Sequence, residues 1–202
     1  MDMLKYEEEC LERGMLRVAG IDEVGRGPLA GPVCAAAVIL PPGLMLDGVN
    51  DSKKLTEKKR EALYDVIAEA AIEWHAVFIE PEVIDEINIR QATHCAMAEA
   101  VEQMSISPDY LLVDGNDRIP FSVPGEYIVK GDAKSLSIAA ASIMAKVTRD
   151  RYMREMDAVY PGYGFARNKG YGTKEHMEAI RRLGLCPLHR RSFITPKVLG
   201  QV

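Results

Sequence analysis

The chain has 202 residues, 48% hydrophobic, 27% charged and 6% aromatic, a globular composition that excludes collagen, wholesale disorder and coiled coil. A chain this long buries roughly 70% of its unfolded surface and needs neither disulfide nor metal to hold a core. The net charge of −5 hides an asymmetry: residues 1–143 carry 13 Lys/Arg against 25 Asp/Glu (net −12), and residues 144–202 carry 12 against 5 (net +7). A basic C-terminal quarter can grip a polyanion while the acidic body keeps carboxylates for cations. Charge alone favours the plainer reading, that helical surfaces vary in charge.

The acidic start, Met1-Asp2-Met3-Leu4-Lys5-Tyr6-Glu7-Glu8-Glu9, lacks the features of a signal or transit peptide. Cys10, Cys34, Cys95 and Cys186 have no paired spacing and read as reduced thiols of a cytoplasmic protein. Residues 17–22 form a short apolar strand leading into a Gly/Pro loop at 25–32, and residues 33–40 a second strand. That second run is the longest apolar stretch and falls well short of the ~18 residues of a membrane span. Thr56 is placed as an N-cap for a helix to about 71, with Leu63, Val66, Ile67 and Ala70 on one face. Residues 74–79 read as a strand, Pro81 starts a short helix, and 90–104 form a longer one. Residues 110–113 and 127–129 are strand-like, 135–160 a long helix, and 173–183 the last helix. This order predicts an α/β protein with a central mixed sheet covered by helices. The firmest break lies near Pro161, giving residues 1–160 as the main body and 161–202 as a helical, basic extension of the same folding unit.

Acids fall repeatedly at strand ends. Asp22-Glu23 closes the first strand, Asp114 follows 110–113, and Asp132 follows 127–129. Open α/β sheets bind ligands at the carboxyl ends of strands. Four carboxylates gathered there need cations between them, and oxygen-only ligands suit Mg²⁺ or Mn²⁺. Two such ions ~4 Å apart can activate water and stabilise a leaving oxygen. Any single Asp-Gly or Gly-Asp pair is an ordinary turn; three sites after strands shift the balance modestly toward a metal cluster. The glycine loop is neither a dinucleotide fingerprint, since it opens a strand, nor a P-loop. It is equally a tight turn or a backbone cradle for phosphate or sugar, with Arg26 adding charge. Asp150 reads as a helix-surface ion-pair partner before a fifth metal acid. Lys53, Lys54, Lys146, Arg190 and Arg191 are candidates to face phosphates, and Ser135 and Ser142 either bond substrate or cap and pack. His75, His94, His176 and His189 share no metal-ligand spacing.

The string Ala19-Gly20-Ile21-Asp22-Glu23-Val24-Gly25-Arg26-Gly27-Pro28-Leu29-Ala30-Gly31-Pro32-Val33 resembles the opening signature of ribonuclease HII, the type 2 ribonuclease H family. So do Asp51-Ser52-Lys53-Lys54-Leu55, Val113-Asp114-Gly115-Asn116, Lys130-Gly131-Asp132, the stretch 140–150, Gly170-Tyr171-Gly172-Thr173 and His189-Arg190-Arg191-Ser192-Phe193. The match is collinear over about residues 17–193, and Arg26 between its glycines separates it from the sister type 3 enzymes. The resemblance implies a ribonuclease H-like fold, a mixed five-stranded sheet flanked by helices, with a small helical C-terminal extension. It implies endonucleolytic hydrolysis of RNA in RNA–DNA hybrids and incision 5′ to single ribonucleotides in duplex DNA, leaving 3′-hydroxyl and 5′-phosphate ends. Asp22, Glu23, Asp114 and Asp132 would bind two divalent ions, Mg²⁺ or Mn²⁺. Gly25, Arg26 and Gly27 would read the ribose and its phosphates, Lys53 would bind substrate, and Tyr171 would contact the 2′-hydroxyl, which distinguishes RNA from DNA. The alternative is a module that holds hybrids without cutting them. No membrane role and no sliding-clamp peptide is expected, since Leu199-Gly200-Gln201-Val202 has no aromatic pair; a monomer is the default.

Overall fold

The computed structural model describes residues 3–49 and 55–201. Five strands, β1 (Val18–Val24), β2 (Val33–Ile39), β3 (Glu73–Ile79), β4 (Tyr110–Asp114) and β5 (Gly125–Ile128), form one sheet in the order β3-β2-β1-β4-β5. β2 runs antiparallel to β1 and β3, whereas β4 is parallel to β1 and β5 parallel to β4. The sheet is therefore mixed and five-stranded, as expected, with β1 at its centre.

Every side chain of β2 is buried, which explains its unbroken apolar run: both faces of this strand are covered. Ala19, Ile21, Ala35, Ala37 and Ile39 pack on one face with Ala92, Ala96 and Met97 of α3 (Pro81–Glu102). Cys34, Ala36 and Val38 pack on the other with Ala139, Ala140 and Met144 of α4 (Leu136–Val159), and with Leu63 and Ile67 of α2 (Glu57–Ala70). Small residues let α4 lie directly on β1. A Cβ added to Gly20 would come within 2.1 Å of the Ser137 backbone.

Caps set several boundaries. The Thr56 hydroxyl accepts the Lys59 N–H at the start of α2, and Ser135 does the same for Ile138 at α4. Thr56→Ala should cost about 1 kcal/mol, read as a lower urea midpoint with an unchanged slope. Val66, expected on the inward face of α2, is instead exposed. The two helices expected after Pro81 are joined across a kink at Asn88, whose φ of 69° is left-handed and whose Oδ1 accepts the N–H groups of Arg90 and Gln91.

Other elements also depart from expectation. The acidic N-terminal stretch forms α1 (Lys5–Glu12) with only Cys10 buried in it. Polar contacts hold it, as Glu7 Oε1 accepts from the Ser135 hydroxyl and the Ser137 N–H. β5 starts at Gly125 and stops before Val129, which is exposed. β1 runs on to Val24, so Asp22 and Glu23 lie within the strand and face opposite sides of the sheet.

Beyond α4 lie α5 (Phe165–Asn168), α6 (Lys174–Leu183) and a further short helix, α7 (Pro196–Leu199). Their apolar residues Phe165, Ala179, Ile180 and Val198 share a cluster with Met153 of α4 and Ala30 of the glycine loop. Among the described residues no helix is long and apolar enough to cross a membrane.

Candidate active site

The acids meet where β1 and β4 run side by side. Their register pairs Ile21 with Val113, so the next residues along the two parallel strands are Asp22 and Asp114. Burial, then the charges of Glu23 and Asp114, push the Asp22 carboxyl well above the usual range; the Ser142 hydroxyl and the Glu23 N–H (2.7 Å) partly offset this. Glu23 is also raised, by burial first and by Asp114, against the pull of Arg26, whose Nη1 lies 3.5 Å from Glu23 Oε1. Asp114 Oδ1 accepts the Gly131 N–H at 2.6 Å, tying it to the turn that carries buried Asp132.

Asp22, Glu23 and Asp114 thus feel one another's charge, and Asp132 sits on the adjoining turn. Among the described residues no three Asp, Glu, His or Cys side chains close into a ready ligand cage. Three of the acids lean on local donors: Asp22 on Ser142 and the Glu23 N–H, Glu23 on Arg26, and Asp114 on the Gly131 N–H. An all-oxygen donor set of buried and half-buried carboxylates, with Asp22 and Glu23 raised, fits a hard divalent cation and suits neither zinc nor a soft metal.

The glycine loop lies beside the acids and is held from beneath by two fully buried arginines. Arg149 of α4 donates to the carbonyls of Ala30, Pro32 and Lys169. Arg190 donates to those of Gly25, Arg26 and Gly31. This corrects the placement of Arg190 among phosphate-facing residues: its donors are turned into the protein. Gly25 has a φ of +91°, and a Cβ there would stand 2.3 Å from Arg149 Nε. Gly25 therefore answers to the arginine below it, whereas Gly27 and Arg26 are exposed. Among the described residues a Cβ on Gly27 would meet only the Tyr171 ring, at 3.9 Å.

Tyr171 joins Asp22, Glu23, Ser142, Lys146 and Arg60 in lining one cleft. Its backbone is fixed on three sides: its N–H donates to Asn168 O (2.9 Å), and its carbonyl accepts from the Thr173 N–H and from His176 Nδ1. The residue as a whole is 41% exposed. His176 and His189 meet in the core with tilted rings and their Nε2 atoms 3.2 Å apart. Their separation by 13 residues across a Gly/Pro loop left no local pattern to detect. Lys146 bonds Asp150 at 2.8 Å; the expected ion pair is present, but Asp150 is buried rather than on the surface. Lys53 and Lys54 lie outside the described residues.

A mixed sheet of this order, with carboxylates on its adjacent parallel strands beside a backbone-exposing loop, defines a nuclease of the ribonuclease H fold. The family described as Ribonuclease HII matches residues 19–196. The chain is 58% identical over 193 residues to the ribonuclease HII of Geobacter sp. (strain M21), covering 96% of this chain and 84% of that protein. It is 56% identical over 201 residues to that of Bacillus mycoides (strain KBAB4), covering 100% of this chain and 78% of that protein. It also resembles the crystal structure of ribonuclease H2 from Pyrococcus horikoshii OT3, with a TM-score of 0.78, 27% identity, and coverage of 92% of this chain and 98% of that one. The chain belongs to the ribonuclease HII family and is a metal-dependent endoribonuclease.

Proposed function

We propose that this protein cuts the RNA strand of RNA–DNA hybrids and incises duplex DNA 5′ to single ribonucleotides, leaving 3′-hydroxyl and 5′-phosphate ends. The observation that carries this reading is the meeting of Asp22, Glu23 and Asp114: burial and the charge of Asp114 raise Asp22 and Glu23, and these two line a cleft with Tyr171, whose ring lies beside Gly27. A module that only held hybrids would gain nothing from buried carboxylates beside a polyanion.

Asp22, Glu23, Asp114 and Asp132 would hold two divalent ions, Mg²⁺ or Mn²⁺, which when bound supply an activated water and charge for the leaving oxygen. The side chains prepare that site. Ser142 and the Glu23 N–H orient Asp22, and Gly131 orients Asp114. Tyr171 stacks on the sugar or neighbouring base and reaches the 2′-hydroxyl, while Arg26 and the Gly25 to Gly27 backbone take the flanking phosphates. Lys53 adds a phosphate contact. The protein acts as a cytoplasmic monomer, with residues 161–202 a helical extension of the catalytic body, 1–160.

The test uses a labelled duplex carrying one ribonucleotide, incubated with the protein in Mn²⁺, in Mg²⁺ or in EDTA. Cleavage 5′ to the ribonucleotide in either metal and none in EDTA is expected. Equal cutting of an all-DNA duplex would replace this reading with that of a DNA nuclease of the same fold.

A further inference from the structure

We infer that Arg190 is a positioning residue for ribonucleotide recognition: by drawing the carbonyls of Gly25 and Arg26 inward, it fixes the N–H groups of Arg26 and Gly27 outward as an acceptor-binding pair. The inference rests on the substrate reading above. In a trans peptide the C=O of one residue and the N–H of the next point in opposite directions. Arg190 Nη2 and Nη1 bond the Gly25 and Arg26 carbonyls at 2.6 and 3.0 Å. The N–H groups of Arg26 and Gly27, on the far side of those two peptides, must therefore face away from Arg190. Both residues are exposed, and among the described residues no group accepts from either N–H. Among the described residues, the one group that a Cβ built on Gly27 would meet is the Tyr171 ring, at 3.9 Å.

The form of the support also points to a polyanion. Arg149 and Arg190 are fully buried, yet their hydrogen-bond acceptors are backbone carbonyls and not carboxylates. Among the described residues neither makes an ion pair. Burial and the neighbouring Arg149 charge lower Arg190 to about 9, so it stays charged at neutral pH. Arg149 feels the charge of Asp150, and Arg190 that of Asp85 and the face of the Phe193 ring, yet both spend their donors on carbonyls, a costly way to hold a turn that apolar packing could hold. The two guanidinium groups lie beneath the amides offered to the ribose and its phosphate. A planar fork holds several carbonyls at fixed angles at once, which the rotating ammonium of a lysine on its flexible stem does not.

The test separates orientation from mere stability. In an Asp114→Asn background with Mg²⁺, fluorescence anisotropy gives the affinity for a duplex with one ribonucleotide and for the all-DNA duplex of the same sequence. The parent should prefer the ribonucleotide duplex. Arg190→Met should shrink that preference by about tenfold, the worth of one or two hydrogen bonds. Arg190→Lys, which keeps the charge and is the milder change for folding, should shrink it severalfold. A parent with no preference removes the substrate reading, and the inference with it. A parent that prefers ribonucleotide, with Arg190→Lys melting lower but showing the same preference, overturns the inference alone and leaves Arg190 a structural residue. Should Arg190→Met not fold, Arg190→Lys decides.

Discussion

Asp114→Asn is expected to reduce cleavage of a ribonucleotide-containing duplex by on the order of a thousandfold or more, while the protein stays folded and still binds the duplex. The substitution keeps the shape of the side chain and removes its charge. Its Oδ1 can still accept the Gly131 N–H, so the turn carrying Asp132 keeps its anchor. What is lost is one carboxylate from a donor set built on charge. Because Asp114 raises both Asp22 and Glu23, its neutralisation should also relieve repulsion in the metal-free protein. The melting temperature in EDTA should therefore hold or rise. Single-turnover cleavage, anisotropy and thermal melting together decide the matter. Activity within a few-fold of the parent would show that Asp114 is no metal ligand.

Asp114 also illustrates what the sequence made legible. An acid directly after an apolar run, in a chain that alternates strands and helices, has a predictable place at a sheet's ligand-binding edge. Asp22 was legible for the same reason, although β1 continues past it and sets Glu23 on the other face. The five strands and the long α4 were readable because apolar periodicity is local. The roles of Arg149 and Arg190 were not. An arginine in a basic segment reads as solvated or phosphate-facing, and only the return of the chain over the 25–32 loop buries these two beneath carbonyls. Gly25 shows the same blindness: its lack of a side chain also makes room for Arg149 below, which no local pattern announces. α1 escaped notice because one buried residue gives no periodic signal, and its anchor is a hydrogen bond between Glu7 and residues more than 120 positions away.

Tyr171 tests how far the aromatic side of the site matters. Its backbone is locked by Asn168, Thr173 and His176, and the preceding carbonyl, of Gly170, accepts the Leu29 N–H at 2.8 Å. The ring makes none of those bonds, and the residue as a whole is 41% exposed. Truncation should thus leave the loop in place and change stability by no more than about 0.5 kcal/mol. The ring's worth should fall on the substrate instead. Stacking on a sugar or base is worth roughly 1–3 kcal/mol, so Tyr171→Ala should lower kcat/KM on a single-ribonucleotide duplex by about 10- to 100-fold. Tyr171→Phe keeps the stacking face and loses only the hydroxyl, worth about 1 kcal/mol, and should fall by about fivefold. The comparison is made at saturating Mn²⁺, with melting curves for all three proteins. A Tyr171→Ala protein that matches the parent in rate would make the ring a bystander. A Tyr171→Phe protein as weak as Tyr171→Ala would place the whole effect in the hydroxyl, and so in reading the 2′-position rather than in stacking.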